Sequence, residues 1–121
     1  MIIEKSDNII LDLSFCFAVR IVKFYKYLVD KKVYVLSKQI LRSGTSIGAN
    51  VRESIHAQNT ADFVNKLNVA LKEADETAYW LELLHASELI TDDEFTSLSN
   101  DVKQIIGTLV KIIKSKKAVT Q

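Results

Sequence analysis

"LRSGTSIGAN", Leu41 to Asn50, is the stretch whose reading decides the fold. It holds two of the chain's three glycines, three small hydroxyl residues and one arginine, a composition that suits a loop or a phosphate-cradling turn. The flanking apolar residues say otherwise. Val33, Ile40, Ile47, Val51 and Ile55 fall at helical offsets and pass through the stretch without losing phase, which a loop would not preserve. The phosphate-loop pattern G-x-x-x-x-G-K-[ST] is absent and no strand precedes the stretch. The spacing therefore predicts the middle of a helix. Gly44 and Gly48 each cost such a helix roughly 1 kcal/mol against alanine, so a packing reason is expected. The middle of the next helix is also small, with Ala70, Ala74 and Thr77 on its seam. Gly44 and Gly48 are expected to face Ala70 and Ala74, with the axes near the short end of the usual range of roughly 8–10 Å.

Outward from this stretch the same period recurs. Ile10, Phe17, Ile21, Phe24 and Leu28 make one seam; Phe63, Leu67, Ala70, Ala74, Thr77, Leu81 and Leu84 make another; Phe95, Leu98, Val102, Ile105, Leu109 and Ile112 make the last. Steps of 3 and 4 are the mark of bundle helices. Thr91-Asp92-Asp93-Glu94 reads as a capping box. Thr60 with Asp62 opens the third helix, and Asp30-Lys31-Lys32 is a short break after the first. Helices are placed near 8–29, 33–56, 60–87 and 91–116. Connections this short force antiparallel neighbours, so residues 1–121 are read as a single all-α domain, an up-down-up-down four-helix bundle. The absence of proline suits uninterrupted helices.

Polar residues of the second helix form a stripe: Gln39, Arg42, Ser43, Ser46, Asn50 and Glu53. If helices two and three are antiparallel, Arg42 comes opposite Glu73 and Glu76, and Glu53 opposite Lys66. The expected role is an ion-pair and hydrogen-bond network that sets the register of the two helices. A groove for a small ligand is the competing reading.

The first helix has apolar surface beyond its seam. Phe15, Val19, Val22 and Val29 form a second stripe, and the fourth helix adds Ile106, Val110 and Ile113. A helix apolar over most of its circumference needs a second partner. A homo-oligomer with these seven residues at the interface is expected.

Charge is unevenly distributed. Residues 1–58 carry nine Lys and Arg against five Asp and Glu; residues 59–100 carry two against nine; residues 101–121 carry five against one. The blocks of +4, −7 and +4 leave a net charge of +1. Lys31, Lys32 and Lys38 gather at the first turn, and Lys111, Lys114, Lys116 and Lys117 near the C-terminus. These are the candidate nucleic-acid contacts, at opposite ends of the bundle. Mutual neutralisation of the basic and acidic helices is the plainer reading.

Glu53-Ser54-Ile55-His56 and Glu82-Leu83-Leu84-His85 repeat the Glu-x-x-His of di-iron bundles. The bundle separates them by roughly 28 Å along its axis, at about 1.5 Å per residue, so they share no metal pair. Two histidines and the lone Cys16 make no zinc site and no nucleophile–base pair. No catalytic residue, metal or cofactor is expected. Cys16 alone allows no internal disulfide. No apolar run reaches the roughly 18–20 residues of a membrane span, and Met1-Ile2-Ile3-Glu4-Lys5 lacks a leader pattern. A cytoplasmic protein without a membrane partner is expected.

Leu41 to Asn50 and Ala70-Leu71-Lys72-Glu73-Ala74-Asp75-Glu76-Thr77, within Gln39 to Leu84, closely resemble the bacterial bundle family encoded in 23S ribosomal RNA intervening sequences, also labelled S23. That family is similar to the accessory variability protein of diversity-generating retroelements. The resemblance implies an up-down bundle and a ring-shaped homopentamer. The combined expectation is a non-enzymatic, homo-oligomeric scaffold or adaptor with an RNA or protein partner. Direct binding of structured RNA is the first alternative, and a small-molecule or metal-binding bundle the second.

Overall fold

The computed structural model describes Lys5 to Thr120. Four helices follow in order: α1 (Lys5–Asp30), α2 (Tyr34–Ile55), α3 (Thr60–Ala86) and α4 (Asp92–Thr120). Each packs on its two sequence or end-to-end neighbours, with α1 and α3, and α2 and α4, on the diagonals, so the chain is an antiparallel four-helix bundle. Among the described residues no strand occurs. The inner boundaries fall within a residue of the expected ones, while α1 starts earlier and α4 ends later.

Local chemistry sets these ends. Thr91 and Glu94 close the capping box: the Glu94 N–H donates to the Thr91 hydroxyl at 3.1 Å, and the Thr91 N–H to the Glu94 carboxylate at 2.8 Å. Burial alone would push the Glu94 carboxyl up. Hydrogen bonds from Thr91 and from the Tyr27 hydroxyl, with the charge of Lys31, outweigh it and hold the group below the usual range. Asn59 caps α3 by accepting the Asp62 N–H at 2.8 Å. Two residues past the ends of α1 and α3 stands a left-handed residue that is not glycine, Lys32 (φ 67°) and Glu88 (φ 61°). After each, the chain folds back: Val33 N–H reaches Leu28 O and Leu89 N–H reaches Leu84 O, both at 2.9 Å.

The seam residues fill the core. Ile10, Phe17, Ile21 and Leu28 of α1 meet Ile40, Ile47 and Val51 of α2, Phe63, Leu67, Leu81 and Leu84 of α3, and Val102, Ile105 and Leu109 of α4, all buried. Each such side chain stabilises by about 1.5–3 kcal/mol on burial.

The middle of α2 is continuous helix through Gly44 and Gly48, but the glycines turn to α1 and not to α3. A methyl at Gly44 would lie 2.9 Å from both γ-carbons of Ile21, and one at Gly48 would lie 3.3 Å from the Ser14 carbonyl oxygen. The expected glycine–alanine facing is therefore corrected. Ala70 and Ala74 are fully buried in α3, and it is Ser43, roughly 100° round the helix from Gly44, that meets α3 at Thr77. The other hydroxyls of the stretch bond to their own helix: Thr45 donates to Leu41 O and Ser46 to Arg42 O, both at 2.7 Å.

Gly44→Ala is expected to lower stability to urea. Ile21 is β-branched and fully buried, so overpacking of about 1–3 kcal/mol opposes the roughly 1 kcal/mol of helix propensity gained. Gly107→Ala, where an added methyl meets nothing within 4 Å, is expected to raise stability by about 1 kcal/mol.

Candidate functional site

Three surface features hold the residues singled out above. The first spans α2 and α3. Arg42 donates through Nη1 to Glu73 Oε2 at 3.2 Å and through Nη2 to Glu76 Oε2. Trp80 Nε1 donates to the same Glu76 oxygen at 3.1 Å. Beneath them, the buried hydroxyls of Ser43 and Thr77 share a hydrogen bond of 2.8 Å. Further along, Lys66 Nζ lies 3.8 Å from Glu53 Oε2. Ser46 and Asn50 do not reach α3; the Asn50 amide donates to Ser46 O at 2.9 Å. The arrangement is a clamp between two helices, with opposite charges adjacent. Trp80 was not read from the sequence, because an i, i+4 bond to Glu76 has no signature among so many polar residues.

The second feature is the pair of lysine clusters, which the bundle places at opposite ends. Lys31 is engaged: its Nζ donates to Leu89 O at 2.9 Å and lies 5.0 Å over the Tyr27 ring. It ties the α1–α2 turn to the α3–α4 turn. Lys32 and Lys38 are exposed. At the other end Lys111, Lys114 and Lys117 are exposed, and Lys116 Nζ lies 5.4 Å over the Phe63 ring.

The third is the outer face of α1. Phe15, Val19 and Val22 are 52%, 42% and 39% exposed, while Val29 is half-buried. In the α4 part of the expected interface, one residue is corrected. Ile113 is buried in the core, and Ile106 and Val110 are half-buried. α4 lies between α1 and α3. Beside the α1 stripe, an open groove of about 720 Å³ runs between α1 and α2. Gly48, Ala49 and Ala18 make it concave, and Asp12 and Arg52 stand in its lining.

His56 is the C-cap of α2 and His85 lies in the last turn of α3, at opposite ends of the bundle. His85 Nε2 is 2.6 Å from Asp92 Oδ1, and the ring stacks on Phe95 at 4.2 Å between centroids. α1 and α4 are joined by a pair that the sequence did not reveal: Arg20 to Asp101 at 2.5 Å, and to the Ser97 hydroxyl at 2.8 Å. Separated by some eighty positions, these residues carry no local signal. No helix is long and apolar enough to cross a membrane, among the described residues.

Residues 6–111 match the family model described as 23S rRNA-intervening sequence protein. The chain is also similar to a protein of unknown function from the S23 ribosomal protein family of Bacteroides thetaiotaomicron VPI-5482. The crystal structure of that protein aligns with a TM-score of 0.88 at 58% identity, over 90% of this chain and 98% of that one. No curated protein matches.

The clamp is expected to contribute unequally. Thr77→Val, which strips the buried hydroxyl from Ser43, is expected to lower stability by about 1–3 kcal/mol. Arg42→Ala, at a half-exposed ion pair, is expected to cost under about 1 kcal/mol. Urea denaturation of both variants measures the ranking.

Proposed function

The chain belongs to the 23S rRNA-intervening sequence protein family, and on that premise we propose that it is a non-enzymatic scaffold or adaptor, working as a homo-oligomer in a ribonucleoprotein or retroelement setting. One observation carries the reading: the apolar stripe Phe15, Val19 and Val22 stays exposed along one face of α1 after the core is complete. A row of large apolar side chains on one helix face favours burial against another chain. Full burial of such a side chain stabilises by about 1.5–3 kcal/mol, so three on each copy favour association. Five copies in a ring is the number that the family resemblance implies.

Light scattering tests this. A mass that is a multiple of the chain's 13.7 kDa is expected at micromolar concentration, and Val19→Lys is expected to reduce it without loss of helical circular dichroism. A monomeric mass throughout the micromolar range removes the reading.

A second reading, direct binding of structured RNA, is favoured by Lys23, Lys26, Lys32 and Lys38. All four are exposed around the α1–α2 turn, and no ion pair engages them among the described residues. Titration of ribosomal RNA fragments at two salt concentrations tests it. The expected affinity falls steeply with salt and weakens in the Lys32→Glu/Lys38→Glu variant. Undetectable affinity at low salt removes this second reading.

A further inference from the structure

α1 and α3 stand on one diagonal of the bundle and run in the same direction. Their outward faces carry charges without an ion pair inside the chain. On α1, Asp12 and Lys26 are exposed and enter no ion pair among the described residues, and on α3 the same holds of Lys72 and Glu82. Taken from the N-terminal end, α1 goes from acid to base and α3 from base to acid. Apolar surface lies between the charges on both: Phe15, Val19 and Val22 on α1, and Tyr79, 55% exposed, on α3. The core separates the two faces, so neither can satisfy the other within one copy.

The two faces are also level. Contacts across α2 (Ser14 with Gly48, Ile21 with Gly44, Ser43 with Thr77) and across α4 (Arg20 with Asp101, His85 with Asp92) carry the height of α1 over to α3. By both routes Lys26 stands level with Glu82, Val22 with Ala78 and Tyr79, and Asp12 with Asn68, each to within about one turn, roughly 5.4 Å. Lys72 lies one turn beyond Asn68. A long helical side chain leans back towards the N-terminus of its helix, so the reach of Lys72 includes the height of Asp12. Rotation about an axis parallel to the bundle keeps every residue at its height and lays α1 of one copy parallel to α3 of another.

We infer that subunits join by laying the outer face of α1 of one copy along the outer face of α3 of the next, with Lys26 paired to Glu82, Asp12 to Lys72, and Val22 against Tyr79. This deepens the scaffold reading and rests on it. The occupant is a second copy because the chain itself supplies the complementary charges, in the complementary order and at the same heights. The contact joins two different faces, so each copy keeps one of them to offer and the contact passes on from copy to copy, as a ring requires. One position is unfavourable: Asp75 comes level with Val19 and has to stay hydrated at the rim.

The test combines a dilution series, followed by light scattering, with cross-linking of the full chain. Lys26→Glu and Glu82→Lys are each expected to raise the dissociation constant about tenfold or more, and the double variant Lys26→Glu/Glu82→Lys to restore it. For the cross-link, a Cys16→Ser/Val22→Cys chain is mixed in dilute solution with a Cys16→Ser/Tyr79→Cys chain, concentrated and treated with a short bis-maleimide. A covalent pair is expected in the mixture and in neither chain alone. If the wild type assembles while the double reversal is no better than either single one, or while the mixture gives no covalent pair, the contact is overturned and the scaffold reading stands. Cross-linking of the Val22→Cys chain to itself overturns it too, since α1 then meets α1. A wild type that stays monomeric overturns both. The substituted side chains are exposed, and circular dichroism confirms that each variant folds.

Discussion

At Gly44 and Gly48 the backbone of α2 lies so near α1 that a single added methyl would collide with Ile21 or press on the Ser14 carbonyl. That approach sets the depth at which the two helices sit. It costs α2 roughly 2 kcal/mol of helix propensity for the two glycines, and tight packing of Ile21 and Ile47, both fully buried, offsets it. It also leaves the outer surface of the joint concave, since Gly48 raises no wall where Ala18 and Ala49 are small too. One constraint thus governs both the inside of the bundle and the groove on its outside.

α2 presents different chemistry on each flank. Toward α1 it sets Gly44 and Gly48 close against Ile21 and Ser14. Toward α3 it offers hydroxyl and guanidinium groups, and the buried Ser43–Thr77 bond lies beneath the exposed Arg42–Glu73–Glu76 clamp. The buried bond matters more for stability, because a lone hydroxyl in the core has no water to turn to, whereas an exposed ion pair exchanges one solvated state for another. The clamp acts on register: Arg42 meets both glutamates in only one sliding position of α2 on α3. Remaining hydroxyls donate to carbonyls of their own helix, so a polar stretch passes through the bundle without a ligand to satisfy it.

The outward faces follow from what the core leaves over. On α4, Ile113 joins the core while Ile106 and Val110 stay half-buried. On α1, Phe15, Val19 and Val22 remain on the surface beside the groove. The lysines divide between the two ends, and Lys31 is spent as a tie between turns. That apolar face, beside scattered and partly satisfied charge, is the feature on which the proposed self-association rests.

The number, inner ends and antiparallel order of the helices were determined by the sequence alone. An apolar period of 3.5 residues marks which side of each helix faces inward, and local signals such as Thr91 with Glu94 mark where a helix begins. The pairing of Arg42 with Glu73 and Glu76 was legible for the same reason, since a short α2–α3 connection leaves one register. Which neighbour each edge of a helix meets was not legible. A bundle of the same seams can turn to the left or to the right, and that turn places either α1 or α3 beside a given edge of α2. Ser43 and Gly44 adjoin in the chain yet point roughly 100° apart, so the sequence view merged two flanks into one. Only the tertiary structure, by choosing one turn, put the glycines against α1, set Ser43 against Thr77 of α3, and drew Ile113 of α4 into the core.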